Sequence, residues 1–284
     1  MTAARDWADA LAGWGIPDDI VAAAPESPWG FPIAAFRRRT QRSLERTEPS
    51  ATTMIARQAL PAGGSVLDVG VGAGSTSLPL GDTASSIVGV DASAEMLAAF
   101  SEAASRLGMK TRTVLGTWPD VAARTPPCDV VTCGHVFYNV PELPSFAQAL
   151  TDHARERVVV EITASHPLSW MNDLWLRFHG LERPDRPTAD DAEAVLRELG
   201  LDPQREDRDE PGRGSGFERR EDAIALVRRR LCLRPERDDE VAEALGDRLV
   251  ERDGRWSAGP ERTRIVTLWW YGAAPQERSE RRSD

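Results

Sequence analysis

Val66-Leu67-Asp68-Val69-Gly70-Val71-Gly72-Ala73-Gly74 is an apolar, β-branched run that breaks into three alternating glycines. The run reads as a buried strand and the glycines as a turn at its carboxyl end, where positive backbone angles are tolerated and a ligand approaches the main chain closely. A helix is predicted to begin near Ser75, with Pro79 close to its start. Its free N–H groups and positive dipole end would face the same ligand. Twenty-one residues after Gly70, at the end of the next apolar run, stands Asp91. A carboxylate there accepts both hydroxyls of a ribose. A nucleoside-bearing ligand is therefore expected across the carboxyl ends of neighbouring strands, at the switch point of an open sheet.

Working outward, Ser65–Val71, Ile87–Ala92, Arg112–Thr117, Asp129–Cys133 and Arg157–Thr163 read as strands, several of them apolar on both faces. Helical patterns fall between them. Ser93 is placed to cap one, with Glu95 in its first turn and Gly108 just past its end, and Leu143, Phe146, Ala147 and Leu150 mark another. Arg264–Tyr271 is a further strand, with Leu201–Asp209 as a polar edge strand beside it. The expected fold is α/β, with a doubly wound, mostly parallel seven-stranded sheet of Rossmann-like type, an antiparallel C-terminal strand and added helices. The expected division is an N-terminal helical cap at 1–60, an α/β core at 61–166, a helical acceptor-side region at 167–255, a strand segment at 256–275 that completes the sheet, and a disordered tail at 276–284. Within 167–255, helices are predicted over Thr188–Leu199, Ala223–Leu231 and Val241–Leu249.

The 284 residues carry 35 basic and 45 acidic side chains, a net charge of −10, which argues against a phosphate-tracking surface and hence against a nucleic-acid partner. Lys110 is the only lysine and lies in no phosphate-loop or Schiff-base motif, so lysine chemistry is not expected. No apolar run reaches the roughly 18–20 residues a membrane span needs. The opening Met1-Thr2-Ala3-Ala4-Arg5-Asp6-Trp7 lacks the basic-then-apolar order of a secretory signal. Cys128, Cys133 and Cys232 have no metal-ligand spacing and are expected as reduced, buried thiols. Together these predict a cytoplasmic protein, with no membrane association and no bound metal.

A dinucleotide fingerprint, G-x-G-x-x-G, would need glycine where Ser75 stands. The pattern present, D-x-G-x-G-x-G, resembles motif I of the class I S-adenosylmethionine (SAM)-dependent methyltransferases, and Asp91 matches the acidic residue after their second strand. An acidic residue ahead of the glycines suits a ligand bearing an ammonium and a sulfonium, whereas a pyrophosphate would be repelled. The resemblance covers about residues 60–166 and 264–272. It implies that Asp68, Gly70, Gly72 and Gly74 hold the methionine portion of SAM, that Asp91 holds the ribose, and that Ala92, Met96, Thr117 and Trp118 lie at the adenine. Met96 also fits a helix-face core position, and Trp118 a core-edge aromatic. Cys128–His135 matches the family strand that runs to the reacting edge, which adds His135 to the cofactor contacts. The implied product is S-adenosyl-L-homocysteine (SAH).

Histidine is the natural proton acceptor near neutral pH. His135 and His166 each follow a strand end, where ligands bind, and are the candidate catalytic groups; Tyr138 and Asn139 are placed to line the same pocket. An amine acceptor needs no base, whereas a hydroxyl acceptor gains from one. The expected activity is methyl transfer to a small-molecule acceptor, on oxygen or nitrogen. A SAM-binding regulatory module without turnover and an NAD-dependent oxidoreductase stand as alternatives.

Overall fold

The computed structural model describes residues 2–29, 32–212 and 216–273. Five parallel strands, β1 (Ser65–Val69), β2 (Ser86–Asp91), β3 (Thr111–Leu115), β4 (Cys128–Gly134) and β5 (Ala154–Thr163), share one sheet with β6 (Gln204–Pro211) and β9 (Arg262–Tyr271). The spatial order is β3-β2-β1-β4-β5-β9-β6, with β9 antiparallel to both of its neighbours. The order reverses direction at β1 and β4, so a crevice opens beyond their carboxyl ends. The tail read as disordered, 276–284, lies outside the described residues.

The apolar runs form strands because both sheet faces are covered. Leu67, Val69, Val90, Val131, Val158, Val160 and Leu268 face one layer, which is built by α1 (Ala3–Ala12), α6 (Leu143–His153) and α8 (Ala189–Glu198). Val66, Ile87, Val130 and Val159 face the other, built by α4 (Ala51–Ala59) and α5 (Ala94–Arg106). The Ser93 hydroxyl caps α5 by accepting from Met96 N–H, and Gly108 ends that region at φ +67°. A Thr188–Asp191 capping box opens α8.

Three expectations change. No α-helix starts near Ser75; Leu78–Leu80 forms a single 3₁₀ turn. Only a short stretch separates the glycines from β2, Pro79 supplies no N–H, and Gly81 follows at once. The helix predicted over Val241–Leu249 is α10 (Asp238–Leu245); it stops at Gly246, and Leu249 opens a separate hairpin of β7 (Leu249–Arg252) and β8 (Arg255–Ala258). Residues 256–258 therefore belong to this hairpin, while α8 and β6 join the sheet domain.

The first 60 residues serve three layers. In α1, fully buried Trp7 donates its Nε1–H to Val140 O at 2.8 Å and stacks on Tyr138. Residues of α2 (Asp18–Ala23) pack with α7 (Asn172–His179), α9 (Arg220–Arg230) and α10 in a second apolar cluster. The side chain of Phe36, on α3 (Ile33–Leu44), reaches the glycine loop, and α4 lies against β5. Arg183 joins cluster to sheet, stacked over both Trp14 and Trp175 and donating to the carbonyls of Trp14 and Gly15. Trp7→Ala should cost about 3–5 kcal/mol, as truncations of buried aromatics do. Guanidinium denaturation followed by circular dichroism measures it, and an unchanged midpoint would show that α1 contributes nothing to the core.

Candidate active site

The glycine loop is tied to β2 at three points, and the start of α5 at a fourth. Gly70 and Val71 N–H both donate to Val90 O, at 2.8 and 3.0 Å. Asp91 Oδ2 accepts from Gly72 N–H at 2.9 Å, and Asp91 Oδ1 accepts from Ser93 N–H at 2.9 Å. The carboxylate is thereby fixed at the end of β2, partly exposed, with lone pairs left for further donors. Gly70 has φ +73°, and a Cβ on it would come within 2.3 Å of Val136 Cγ2. At Gly72, φ is +51° and the Phe36 ring lies 3.4 Å from where a Cβ would be. Both positions need glycine for conformation, and Gly70 needs it for space as well.

Asp68 sits beneath this loop, 1% exposed. The hydroxyls of Ser77 and Thr132 lie beside its carboxylate, but neither oxygen has a hydrogen bond of good geometry. Burial is the main cause that pushes its pKa up to about 6, with the Asp91 charge adding to the rise and the Ser77 and Thr132 hydroxyls opposing it. A buried, incompletely solvated carboxylate under a loop that leaves no room for side chains suits a cationic ligand lying close to the main chain. It would disfavour a pyrophosphate, so the residues present fit SAM.

The adenine candidates separate. Ala92 and Thr117, both exposed, follow the carboxyl ends of β2 and β3, and Met96, half-buried, lies in the first turn of α5. Trp118 instead turns into the core. It is 5% exposed, donates Nε1–H toward Phe146 O at 3.4 Å and meets His153 edge-on. Of the readings open for Trp118, its placement is that of a core aromatic.

The two candidate histidines also separate. His166 is buried, stacked on Trp14 at 3.6 Å between ring centroids and edge-on to Tyr138. Its Nδ1 accepts from Leu168 N–H at 3.3 Å, and burial, helped by the Arg183 charge, lowers its pKa to about 3. A nitrogen so weakly basic is a packing group. Tyr138 is likewise buried, its hydroxyl donating to Thr163 O at 2.7 Å. His135 stays partly exposed at the carboxyl end of β4, in left-handed backbone conformation at φ +60°. Its Nε2 lies 2.8 Å from Glu161 Oε1, and its own N–H donates to Glu161 O at 2.6 Å.

Glu161, on β5, escaped the sequence reading. The signal was present as one acidic residue inside Val158-Val159-Val160-Glu161-Ile162, where a buried strand tolerates charge only with partners. Its Oε2 accepts from the Thr52 hydroxyl of α4 at 2.7 Å, and Thr52 and Thr267 hydroxyls lie 2.9 Å apart. Beside it opens a cleft of about 600 Å³, lined by Arg39, Arg42, Thr52, Thr76 and Glu161 among others. Among the described residues there is no group of three or more His, Cys, Asp or Glu side chains able to hold a metal. Asp173, a carboxylate after β5, is paired with Arg248.

The Asp68 carboxyl makes the stability of the ligand-free protein depend on pH. Its folded pKa is raised above the unfolded value, so the folded state holds the proton more tightly. Stability falls as pH rises from about 4 to 6 and stays lower above that, a change on the order of 2–3 kcal/mol. Asp68→Asn should flatten this decline and stabilise the ligand-free protein at neutral pH, while weakening SAH binding. Denaturation midpoints across that pH range, with SAH calorimetry, measure both; an unaltered pH slope in the variant would refute the assignment.

A family model described as a methyltransferase domain matches residues 66–157, from β1 through the loop, β2, β3 and β4 into β5. A search of curated proteins by sequence gave no match. Among solved structures, the chain is similar to the YcgJ protein of Bacillus subtilis, with 18% identity, TM-score 0.53, and 82% of this chain and 98% of that one covered. It is similar also to a putative methyltransferase of Bacillus halodurans, with 15% identity, TM-score 0.50, and 78% and 96% covered. At such identities these neighbours speak to the fold alone, and they share it over nearly their whole length. The domain match falls on the strand, glycine loop and acidic strand end described above, so residues 66–157 are similar to a methyltransferase domain.

Proposed function

We propose that the protein transfers the methyl group of SAM to a small-molecule acceptor, in the cytoplasm. The observation that carries this reading is the pairing of an incompletely hydrogen-bonded, buried Asp68 with a glycine loop pinned to Asp91. The nearby cleft, about 600 Å³, is within the range of small-molecule sites. Three cysteines buried without disulfides accord with a reducing compartment. No helix among the described residues is long and apolar enough to cross a membrane.

SAM, when bound, supplies a methyl group activated by its sulfonium. The chain's own residues bind and orient. Asp91, held by two amides, accepts ribose hydroxyls; Gly70, Gly72 and Gly74 admit the methionine portion against the main chain; Asp68 supplies negative charge from below. Ala92, Met96 and Thr117 border the adenine. His135, at the end of the strand beside the loop, stands on the acceptor side. Orientation of this kind supplies much of the acceleration of a displacement reaction, because the nucleophile must lie in line with the breaking bond.

Calorimetric titration should find SAH binding to the wild-type chain and none by NAD(H). Asp91→Ala should weaken SAH binding at least about tenfold, since hydrogen bonds to a charged group are worth roughly 1.5–3 kcal/mol. Asp91→Asn, which keeps one oxygen acceptor for the loop, should retain the fold and show a smaller loss. Unchanged SAH affinity in both variants would make the ribose assignment wrong.

A further inference from the structure

Residues 37–46 hold five arginines and one acidic residue, in a chain whose net charge is −10. Helix α3 carries four of the five, and helical spacing sends them to different neighbours. Arg37 ion-pairs with Glu102 of α5, and Arg38 lies over the Phe217 ring, 5.8 Å from its centre. Arg39 and Arg42, with Arg46 just past the end of the helix, are spaced i, i+3 and i+7 and line the cleft of about 600 Å³. Arg57 of α4 lines it too. The cleft reaches the glycine loop, since Ser75 and Thr76, the two residues after Gly74, form part of its wall. Thr76 also stands at the end of β4, its Oγ1 2.3 Å from where a side chain on Gly134 would begin.

Four guanidinium groups in this wall meet three carboxylates, Asp82, Glu161 and Glu210. Arg57 is matched to Asp82 at 2.8 Å and Arg46 to Glu210 at 3.2 Å. Glu161 is turned to Thr52 at 2.7 Å and to His135 at 2.8 Å. Arg39 and Arg42 add two positive charges one helical turn apart. Both are engaged within the chain, but a guanidinium offers five N–H donors in a planar fork, more than a single carboxylate uses. The carboxyl end of α3 favours a cation in its last turn, which accounts for Arg42. It does not account for Arg39, one turn earlier and half-buried in the cleft wall.

We infer that the acceptor carries an oxyanion, a carboxylate or a phosphate, which Arg39 and Arg42 hold in this cleft while its nucleophilic atom lies at the Ser75–Thr76 end. The inference rests on the methyltransferase reading above. A chain of net charge −10 repels an acid at long range, and a local pair of arginines reverses the field where the acid must dock. Donation from guanidinium forks also fixes the orientation of a carboxylate or phosphate, and an in-line displacement depends on orientation.

The test uses the full chain with SAH bound, so that the cofactor site is filled. Arginine Nε–H resonances are followed during titration with inorganic phosphate, benzoate and benzamide. Phosphate or benzoate should shift the Arg39 and Arg42 signals and leave Arg37 in place, and benzamide should shift none of them. Arg39→Gln and Arg42→Gln should each weaken anion binding about tenfold or more, the scale of a hydrogen bond to a charged group. Arg37→Gln, on the same helix, should leave it within about twofold, as a site with no shared partners does. SAH release from SAM is then compared for matched acceptors, para-hydroxybenzoate against para-hydroxybenzamide and para-aminobenzoate against para-aminobenzamide. Turnover should favour the acid of a pair, and the two cleft variants should raise KM with little change in kcat, a split that a merely structural arginine would not give. Absence of anion binding, equal binding of benzamide, anion affinity indifferent to both substitutions, or preferred turnover of the neutral acceptors would each overturn the inference. Where no acceptor turns over, the titration decides. Failure of the wild-type chain to bind SAH is a separate result, and it counts against the cofactor reading itself.

Discussion

Asp91 accepts two backbone N–H groups, one from Gly72 in the loop after β1 and one from Ser93 at the start of α5, and the site is organised around that carboxylate. Without it, a loop rich in glycine has many accessible conformations and no reason to hold one of them. With it, and with Val90 O accepting from Gly70 and Val71, the loop becomes an extension of β2. Two strands that are neighbours in the sheet thus present a single rigid edge. The absence of an α-helix after the loop makes this tie more important, because helix packing is not there to hold the glycines from the other side. What the segment after the loop contributes instead is contact: Leu78 lies where a side chain on Gly74 would clash, and Thr76 lies where one on Gly134 would.

Polar burial is concentrated on the same side of the sheet. Asp68, Thr132, Glu161 and Thr267 lie on β1, β4, β5 and β9, while the apolar layer opposite contains Leu67, Val131, Val160 and Leu268. Burying charge in a sheet works against stability, and a stretch of Val and Ile in those places would make a sturdier core. The two carboxylates are handled differently. Glu161 is compensated by His135 and Thr52, whereas Asp68 is left short of partners and pushed toward its neutral form. Compensation suits a group that must keep one geometry, and shortage suits a group whose missing partner is a cation brought by a ligand.

Much of this was legible in the chain. The glycine spacing, Asp91, the Ser93 cap and the doubly wound order follow from local chemistry: turn conformation, capping and apolar runs covered on both faces. What escaped depends on residues brought together from far apart. Thr52, Glu161 and Thr267 are separated by more than a hundred residues in each step and meet only because α4 docks under β5 and β9 pairs beside it. A threonine at the start of a helix looks like a helix-entry residue wherever it points. Trp118 was open to two readings, adenine contact or core-edge aromatic. Its position after β3 is right for an adenine contact, but a buried indole needs a hydrogen-bond acceptor, and Phe146 O offers one inside the core.

The two strand-end histidines look equivalent in sequence, and the physics of their surroundings separates them. His166 follows β5, but Trp14 and Tyr138 close over it and Arg183 places a positive charge near it. Both influences favour the neutral ring, so it serves as a flat surface on which the N-terminal segment stacks. His135 follows β4 and stays partly exposed, its Nε2 2.8 Å from Glu161 Oε1. Proximity to the crevice is common to both, and it does not make a base. A base needs a lone pair aimed outward and a stable home for the positive charge it acquires, and the surroundings of His166 deny it the second.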